Sequence, residues 1–313
     1  MRAAVLEEHG ATPRCGEFDD PEPQAGHVVV DVRAAAIHHL DLHKATGTFY
    51  TGPPPLPSVV GTDGIGVLPD GRRVYFDACA APYGSMAERA LADESALFDV
   101  DEGIDDATAA ALGNSGIAAW LAVAWRSRLR PGETVLVLGA TGAVGSVAVQ
   151  AAKLLGAGRV VAAGLAEERL TATLERGADE IVELDRVDDL PEALRAAAGG
   201  GVDVTIDTLW GDPAAAAMAA ANRWARHVQV GQVAGLEIPL AAPALRSVSL
   251  DLLGFSIAHP PADVKREGFL TLTRHVANGD IAVDVEAFPL SEVQTAWERQ
   301  RQAAGGAKLV LLP

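Results

Sequence analysis

A glycine-rich turn carries the most recognisable chemistry in this sequence. The run VLVLGATGAVG, residues 135–145, joins a buried-strand pattern to a turn and then to a helical pattern. We expect Gly142 to permit the tight turn and Gly145 to let the helix pack closely, while amide groups at the helix start can bind a pyrophosphate. The predicted dinucleotide site consists of Ala140, Thr141, Gly142, Ala143, Val144 and Gly145.

The elements around this turn are predicted to be alternating strands and helices. Apolar runs after the first strand predict five more strands, at residues 159–163, 180–184, 202–207, 226–230 and 252–256. Helical spacing is found at residues 167–176, 190–198 and 213–224. Six strands with intervening helices predict an α/β fold with a doubly wound parallel sheet of the Rossmann type, which binds ligands at the carboxyl ends of its strands. A βαβ unit without a nucleotide is the lesser alternative.

The two ends of the chain have a different pattern. The first hundred residues are punctuated by Pro and Gly, and their short apolar runs predict a compact β-rich unit. From residue 107 the sequence becomes Ala-rich and helical, so we place a boundary near Asn114. After Ile257 we predict a helix at 262–278, a short segment at 283–288 and a strand at 307–311 that returns to the N-terminal unit.

Composition excludes several classes of function. The 313 residues suffice for about two domains. A formal net charge of −17 without any Lys/Arg run argues against nucleic-acid binding, and no stretch approaches the ~20 apolar residues that span a bilayer. The only two cysteines, Cys15 and Cys79, predict neither a disulfide framework nor a four-sulfur zinc site, as expected for a cytoplasmic protein.

Several motifs, by their order and spacing, resemble the zinc-free quinone oxidoreductase branch of the medium-chain dehydrogenase/reductase family. Besides the glycine-rich turn, they are residues 57–66 (PSVVGTDGIG), 83–88 (YGSMAE), 177–179 (GAD), 204–208 (VTIDT) and 306–310 (GAKLV). The resemblance covers nearly the whole chain. It implies a split catalytic domain of the GroES-like β type, residues 1–113 and 258–313, with a Rossmann domain, residues 114–257, inserted between its parts.

The same resemblance indicates whether a metal ion is bound. Zinc enzymes of this fold carry His and Glu in the glycine-rich N-terminal motif, where this chain has Thr62 and Asp63, and the earlier Cys ligand is missing from residues 37–41. We therefore predict no metal. One alternative stays open, because His39 and His43 are four residues apart and would face one ion on a helix.

The resemblance also indicates which residues line the reaction site. Hydride transfer needs a positioned nicotinamide, and a proton must reach the product from solvent or from a hydroxyl. The position of His38 usually carries Asn in these reductases and lines the nicotinamide pocket, although a histidine that only caps the helix start is as plausible. Tyr50 matches the place where several of these reductases have a tyrosine in the pocket. The alternative is that Tyr50 is an aromatic residue that only packs on the proline loop. Thr62 offers an alternative hydroxyl.

Cofactor choice depends on the end of the second strand of the nucleotide domain. NAD-dependent folds place an acidic residue there, but this chain has Gly164. Arg169 could meet a 2′-phosphate, although Glu167 and Glu168 would oppose it, and the lysine and tyrosine that the family often uses are absent. We predict NADPH, with NAD as the lesser alternative. Two further predicted cofactor contacts are Lys308, for a phosphate or ribose, and Gly231, where backbone passes the nicotinamide.

These observations predict an NADPH-dependent, zinc-independent oxidoreductase that passes hydride to a small quinone, enone or similar acceptor, as a cytoplasmic homodimer. Two alternatives remain: a nucleotide-binding regulatory or structural protein of the same fold with little turnover, and an enoyl-thioester reductase. Short-chain dehydrogenases are excluded, because none of Tyr50, Tyr75 and Tyr83 has Lys four residues on.

Overall fold

The structure is a computed structural model that describes residues 1–49, 52–165, 167–302 and 306–313, except for the side chain of Glu167. The chain divides into two compact units. The terminal unit consists of Met1–Ser115, Ala262–Ala277 and Val283–Pro313. The central unit consists of Gly116–Pro261 and Asn278–Ala282.

The N-terminal part of the terminal unit is rich in short strands, as expected from its Pro and Gly punctuation. Its elements are β1 (Arg2–Leu6), β2 (Arg14–Glu17), β3 (His27–Ala36), α1 (His39–Ala45), β4 (Ser58–Val59), β5 (Gly64–Val67), β6 (Arg73–Phe76), β7 (Arg89–Asp93), β8 (Leu97–Asp99) and α2 (Asp106–Leu112).

The next segment alternates strands and helices. Its elements are α3 (Asn114–Leu121), a π-helical turn (Ala122–Arg126), β9 (Thr134–Leu138), α4 (Ala143–Leu154), β10 (Arg159–Gly164), α5 (Glu167–Glu175), β11 (Glu180–Glu183), α6 (Leu190–Ala197), β12 (Val202–Asp207), α7 (Gly211–Ala219), β13 (Ala221–Gln229), α8 (Ala242–Arg246) and β14 (Asp251–Gly254). The chain then ends with α9 (Ala262–Ala277), β15 (Val285–Pro289), α10 (Val293–Arg301) and β16 (Lys308–Leu312).

The central unit is built on a six-stranded sheet in the order β11-β10-β9-β12-β13-β14, and every neighbouring pair is parallel. Alternate residues of β9 face opposite sides of the sheet. Leu136 and Leu138 lie in an apolar cluster with Leu194 of α6 and Ala217 of α7. The buried Val135 and Val137 point away from that cluster. The predicted doubly wound sheet is confirmed.

One predicted helix was wrong in its second half. Residues 213–224 have helical spacing throughout, but α7 ends at Ala219 and β13 begins at Ala221. Ala221 pairs with Val202 in the parallel sheet, and Trp224, with a φ of +65°, is 74% exposed. Alanine favours a helix locally, but its small side chain also fits a strand, so strand pairing overrides the local preference.

In the terminal unit, the main sheet has the order β15-β16-β3-β5-β6-β8, and β7 also pairs with β3. A smaller sheet has the order β2-β1-β4. The C-terminal strand β16 returns to the N-terminal strands as expected, because Val310 lies opposite Ala36 in an antiparallel pair. This pairing brings Lys308 next to the loop that follows β3.

No single helix in the described part of the chain is long and apolar enough to cross a membrane. The pair formed by α2 and the helical segment Asn114–Arg126 passes that test only when the two are taken together, and buried core helices share this property.

Candidate functional site

The first candidate site is the glycine turn of the central unit. The strand order reverses between β9 and β12, and sheets of this type bind ligands at that point, beyond the carboxyl ends of the strands. Gly139 follows β9 with a φ of +78°, and a Cβ there would lie 2.2 Å from Thr208 Oγ1. The tight turn therefore depends on Gly139. The role that sequence analysis gave to Gly142 was wrong, because Gly142 has an ordinary φ of −83°.

Gly142 and Gly145 differ in what surrounds them. Gly142 precedes α4 and provides no side-chain cap, and a Cβ there would have only Gly139 O within 4 Å, at 3.4 Å. A Cβ on Gly145 would lie 2.2 Å from Gly139 O, which confirms that this glycine allows close packing of the helix. Amides of the first helical turn have no intrahelical acceptor, so the uncapped start of α4 offers donors and a positive dipole end to a diphosphate.

Other predicted cofactor residues lie around this turn. Gly164 ends β10, and a Cβ added there would lie 3.6 Å from Thr141 Oγ1, so this position is beside the turn. Because the residue is glycine, it places no acidic side chain there. Arg169 is exposed on α5. A Cβ on Gly231 would lie 2.5 Å from Thr208 O, so this glycine lets the segment after β13 approach the loop after β12.

Asp207, at the end of β12, is a residue whose role sequence reasoning missed. It is fully buried, and its Oδ1 accepts hydrogen bonds from the amides of Leu209 (2.8 Å) and Trp210 (2.9 Å). Its Oδ2 lies 2.9 Å from His227 Nε2. These bonds hold the loop at the carboxyl end of β12, where Trp210 has a φ of +57°. The sequence signal that could have indicated this role is an acidic residue at the end of a predicted buried strand.

A second, separate candidate site is a buried polar cluster in the terminal unit. We call it the His38 cluster, and its members are His38, Asp41, Asp63, Tyr75 and Lys308. All five side chains are at most 4% exposed. The members lie before or within α1, before β5, on β6 and at the start of β16. Because buried polar groups are costly unless they are paired, their hydrogen bonds define the cluster.

The imidazole of His38 is the centre of the cluster. Its Nε2 lies 2.6 Å from Asp63 Oδ1, and its Nδ1 lies 2.8 Å from Lys308 Nζ and 3.1 Å from Ser115 Oγ. The Lys308 ammonium also donates to Ile37 O at 2.6 Å. Both ring nitrogens of His38 are therefore engaged by protein groups.

Asp63 receives three donors, and this explains its electrostatics. Besides His38, the Tyr75 hydroxyl donates to its Oδ2 at 3.0 Å and the Asn114 amide at 2.7 Å. Burial by itself raises the pKa of Asp63, but the interactions with His38, the Asn114 amide and Lys308 outweigh burial, so the pKa lies below its usual value. Burial and the Asp63 carboxylate raise the pKa of Tyr75 well above its usual value. Asp63 is thus a buried carboxylate.

Lys308 is the most perturbed cation of the cluster. Burial lowers its pKa from 10.5 to about 8, although Asp63 and Asp41 oppose the shift. The predicted contact of Lys308 with a phosphate or ribose stays a prediction. In the structure its ammonium is directed at Ile37 O and His38.

Thr62 is hydrogen-bonded to the His38 cluster and is less buried than its members. Its hydroxyl donates to Asp41 Oδ1 at 2.6 Å and accepts from Lys44 Nζ at 3.1 Å. The other oxygen of Asp41 accepts from the backbone amide of His38 at 2.8 Å. Asp41 therefore connects Thr62 to the start of α1, and Lys44 polarises the Thr62 hydroxyl. Lys44 is not among the site residues predicted from the sequence.

Tyr50, the remaining predicted catalytic residue, lies outside the described residues. Its role stays a prediction, as do those of His38 and Thr62. The structure brings His38 and Thr62 into one hydrogen-bonded system through Asp41.

The donor atoms of the described residues do not make a zinc site. Within those ranges, no three His, Cys, Asp or Glu side chains converge as metal ligands would. The His38 and Asp63 side chains are directed at each other. Burial raises the pKa of the Cys79 thiol to about 12, which disfavours the thiolate that zinc requires. The Cys15 thiol accepts a hydrogen bond from Arg2.

Comparison with known proteins gives consistent matches. A family model described as zinc-binding dehydrogenase matches residues 143–268. Quinone oxidoreductase 1 of Escherichia coli is 26% identical over 324 residues, which cover 95% of this chain and 94% of that protein. A mycocerosic acid synthase-like polyketide synthase of Mycobacterium tuberculosis is 28% identical over 310 residues, which cover 94% of this chain but only 14% of the synthase.

Among solved structures, that of the quinone oxidoreductase from Thermus thermophilus, which has also been determined in complex with NADPH, is similar to the whole chain. Its TM-score is 0.87 at 29% sequence identity, and the match covers 100% of both chains.

Proposed function

Since this chain belongs to the medium-chain dehydrogenase/reductase family, in its quinone oxidoreductase branch, we propose that it is an NADPH-dependent enzyme that reduces small quinones, enones or similar acceptors. The observation that carries this proposal is the uncapped start of α4 after the glycine turn, at the strand-order reversal of a six-stranded parallel sheet. A GroES-like catalytic domain would correspond to the terminal unit and a Rossmann domain to the central unit.

A bound nicotinamide dinucleotide would supply the hydride. The amides of residues 143–145 would hold its diphosphate, with Ala140, Thr141 and Gly142 forming the turn before them, where the Gly142 amide donates to Gly139 O at 3.0 Å. The absence of an acidic side chain at Gly164 favours a 2′-phosphate over a free 2′-hydroxyl, and Arg169 would provide the cation that neutralises it. The Thermus thermophilus relative has been determined in complex with NADPH, which supports NADPH as the cofactor. Gly231 and Lys308 stay proposed contacts.

The proton that the reduced product needs would come from solvent or from a side-chain hydroxyl. Thr62 is less buried than the His38 cluster and carries the hydroxyl that Lys44 polarises, so it is a candidate donor. Tyr50 is the other candidate. His38, whose ring nitrogens are both engaged, would instead give this region its fixed polar structure.

We propose that the reaction does not require zinc. The donor atoms around Thr62 and Asp63 do not make a zinc site, and hydride transfer to a quinone or an enone needs no Lewis acid to ionise an alcohol. Stoichiometric zinc that turnover required would contradict this proposal.

We further propose a cytoplasmic homodimer. The two cysteines form no disulfide, which suits a reducing compartment. Of the two edge strands of the central sheet, β11 is bordered by the ion pairs of Glu180 and Glu183, whereas β14 presents Leu252, which is 38% exposed. Charged edges resist pairing, so β14 is the edge suited to a second copy.

The decisive experiment measures NADPH binding by calorimetry and NADPH oxidation with a panel of quinones and enones. We expect binding and turnover of at least one acceptor. Absence of binding to NADPH and NADH would contradict the proposal. Binding without turnover would instead support a nucleotide-binding regulatory or structural protein.

The similarity to the polyketide synthase favours an enoyl-thioester reductase as a second candidate, because it extends over 94% of this chain. A short enoyl thioester of N-acetylcysteamine in the same assay separates the two candidates. Faster turnover of the thioester than of every quinone would favour the second.

A further inference from the structure

A second buried histidine, His227, lies on β13 in the central unit. It is 1% exposed, and its Nε2 lies 2.9 Å from Oδ2 of Asp207, which is fully buried at the end of β12. His227 is opposite Thr205 in the parallel sheet, so strand pairing fixes its backbone. Because buried polar groups are costly unless they are paired, this contact satisfies a ring nitrogen and a carboxyl oxygen together.

The other oxygen of Asp207 organises the loop that follows β12. Its Oδ1 accepts hydrogen bonds from the amides of Leu209 at 2.8 Å and Trp210 at 2.9 Å. Trp210 has a φ of +57°, a conformation that is strained for a bulky residue. Its ring packs edge-on against the imidazole of His227, with the two ring centroids 6.3 Å apart. Since a strained backbone persists only where several contacts fix it, the loop depends on both Asp207 and His227.

The loop held in this way contacts the chain on both sides of it at the carboxyl edge of the sheet. The Thr208 hydroxyl donates to Leu138 O at 2.9 Å, and a Cβ on Gly139 would lie 2.2 Å from the same Oγ1. On the other side, the amide of Ala234 donates to Leu209 O at 2.8 Å. The loop after β12 therefore connects the glycine turn with the segment after β13.

This loop belongs to one half of the parallel sheet. In doubly wound sheets each half binds one mononucleotide of a dinucleotide, and the ligand crosses at the reversal of strand order. The half formed by β9, β10 and β11 carries Gly164 and leads into α5 with Arg169, the residues proposed for the adenosine end. The half formed by β12, β13 and β14 is then the one that faces the nicotinamide.

We propose that His227 is a positioning residue for the nicotinamide half of the cofactor and acts through Asp207 on the loop 208–210. The role toward the cofactor rests on the proposed function above, whereas the restraint of the loop does not. Packing of the sheet does not by itself require a histidine here, because an apolar side chain would fill the same place without the cost of burying polar atoms.

The first test measures hydrogen exchange of the full chain without any nucleotide. In the unsubstituted protein we expect the amides of Leu209 and Trp210 to exchange much more slowly than that of Val233, which is 66% exposed. In His227→Leu, which has no polar atom for Asp207, we expect both amides to exchange about tenfold faster. In His227→Gln, whose amide can donate or accept, we expect slow exchange to be restored.

The second test separates the two halves of the cofactor by calorimetry. In His227→Leu we expect Kd for NADPH to rise about tenfold, while Kd for adenosine 2′,5′-bisphosphate, which lacks the nicotinamide, stays unchanged. His227→Gln should restore the affinity for NADPH. Both variants lose the ring contact with Trp210, so the difference between them reports the bond to Asp207. His259→Leu makes the same substitution at an exposed histidine of the central unit and should change neither Kd.

Fast exchange of the Leu209 and Trp210 amides in the unsubstituted protein would overturn the proposal, as would unchanged exchange in His227→Leu. An equal rise of Kd for NADPH and for the bisphosphate would show a general effect on the fold and would contradict a role at the nicotinamide end.

Should His227→Leu fail to fold, His227→Asn replaces it, because its amide lies nearer the backbone and cannot reach Asp207. The exchange measurements need no nucleotide, so they also distinguish the two proposals. If NADPH does not bind the unsubstituted protein, the proposed function fails together with the role of His227 toward the cofactor, while the exchange rates still decide whether His227 restrains the loop.

Discussion

At the residue scale, the His38 cluster shows how burial changes the chemistry of ordinary side chains. Lysine and aspartate are usually exposed, but in this cluster Lys308 and Asp63 are at most 4% exposed and are joined through His38. Their charges are tolerated because each has several hydrogen-bond partners. The consequence is a lysine that changes its charge nearer to neutral pH than lysine normally does.

This shift predicts a pH-dependent stability. In the unfolded chain the pKa of Lys308 stays near 10.5, whereas folding lowers it to about 8. Between these two values the unfolded state binds more protons than the folded state. The free energy of unfolding therefore rises with pH in this range. Below pH 8 the cost of the buried charge is fully present. We expect the stability of the unsubstituted protein, relative to Lys308→Met, to increase by about 2 kcal/mol between about pH 7 and about pH 9.5.

Urea denaturation of both proteins at the two pH values measures this difference. Tyr75 and other groups that titrate in alkali are shared by the two chains, so their effects cancel in the comparison. A difference that is constant with pH would show that Lys308 has an ordinary lysine pKa in the folded protein.

Arg169 is predicted to select the cofactor. Its guanidinium is exposed on α5, which follows the strand that ends at Gly164. If it binds a 2′-phosphate, Arg169→Ala removes a charge-assisted hydrogen bond that only NADPH can accept. We expect Kd for NADPH to rise much more than Kd for NADH in calorimetry. Equal changes for both dinucleotides would remove the assigned role.

The proton donor is the remaining residue-scale prediction. We expect Tyr50→Phe to lower turnover with little change in cofactor affinity, since only a hydroxyl is lost. Thr62→Val is the parallel variant for the other candidate hydroxyl. Steady-state rates and NADPH titrations of both variants identify the donor, and an unchanged rate in Tyr50→Phe would leave that tyrosine as a packing residue.

At the element scale, the connection from β9 to α4 depends on three glycines with different roles. Gly139 adopts the positive φ, Gly145 admits the helix against the turn, and Gly142 leaves open the space before the first amides of the helix. Because the roles differ, the same substitution should have different consequences at each position.

Alanine substitutions separate packing from binding. In Gly142→Ala the new methyl group meets only Gly139 O at an ordinary distance, so we expect nearly unchanged stability and strongly weakened NADPH binding. In Gly145→Ala the methyl group would lie 2.2 Å from Gly139 O, so we expect a loss of about 1–3 kcal/mol of stability as well as of binding. Urea denaturation and calorimetry check both. Normal NADPH affinity in Gly142→Ala would place the diphosphate elsewhere.

At the scale of the whole molecule, the exposed edge strand β14 predicts self-association. We expect Leu252→Lys to shift the protein from dimer to monomer in sedimentation velocity, because a charge on a strand edge opposes pairing with another strand. Leu174→Lys, at a leucine of α5 that is 41% exposed, is the matched control and should leave the dimer intact. A monomeric unsubstituted protein would contradict the proposed pairing.

The sequence by itself determined the architecture of the nucleotide-binding part. Residues 202–207 were predicted as a strand with the bounds that the structure shows, and the glycine spacing located the turn before α4. Such features are local, because a strand period, a helical period and a tight turn are each encoded within a few residues. The prediction of a helix at 213–224 was wrong in its later half because the structure of that segment is not encoded locally. Only pairing with β12 makes it a strand.

The tertiary structure alone decided the chemistry of the terminal unit. His38 and Lys308 are 270 residues apart, and His38 and Asp63 are 25 apart. No local pattern relates them, because they meet only when β16 pairs with β3 and the segment before β5 closes beside α1. Which groups the ring of His38 contacts, and how far the pKa of Lys308 falls, depend on distances and burial that arise only from folding.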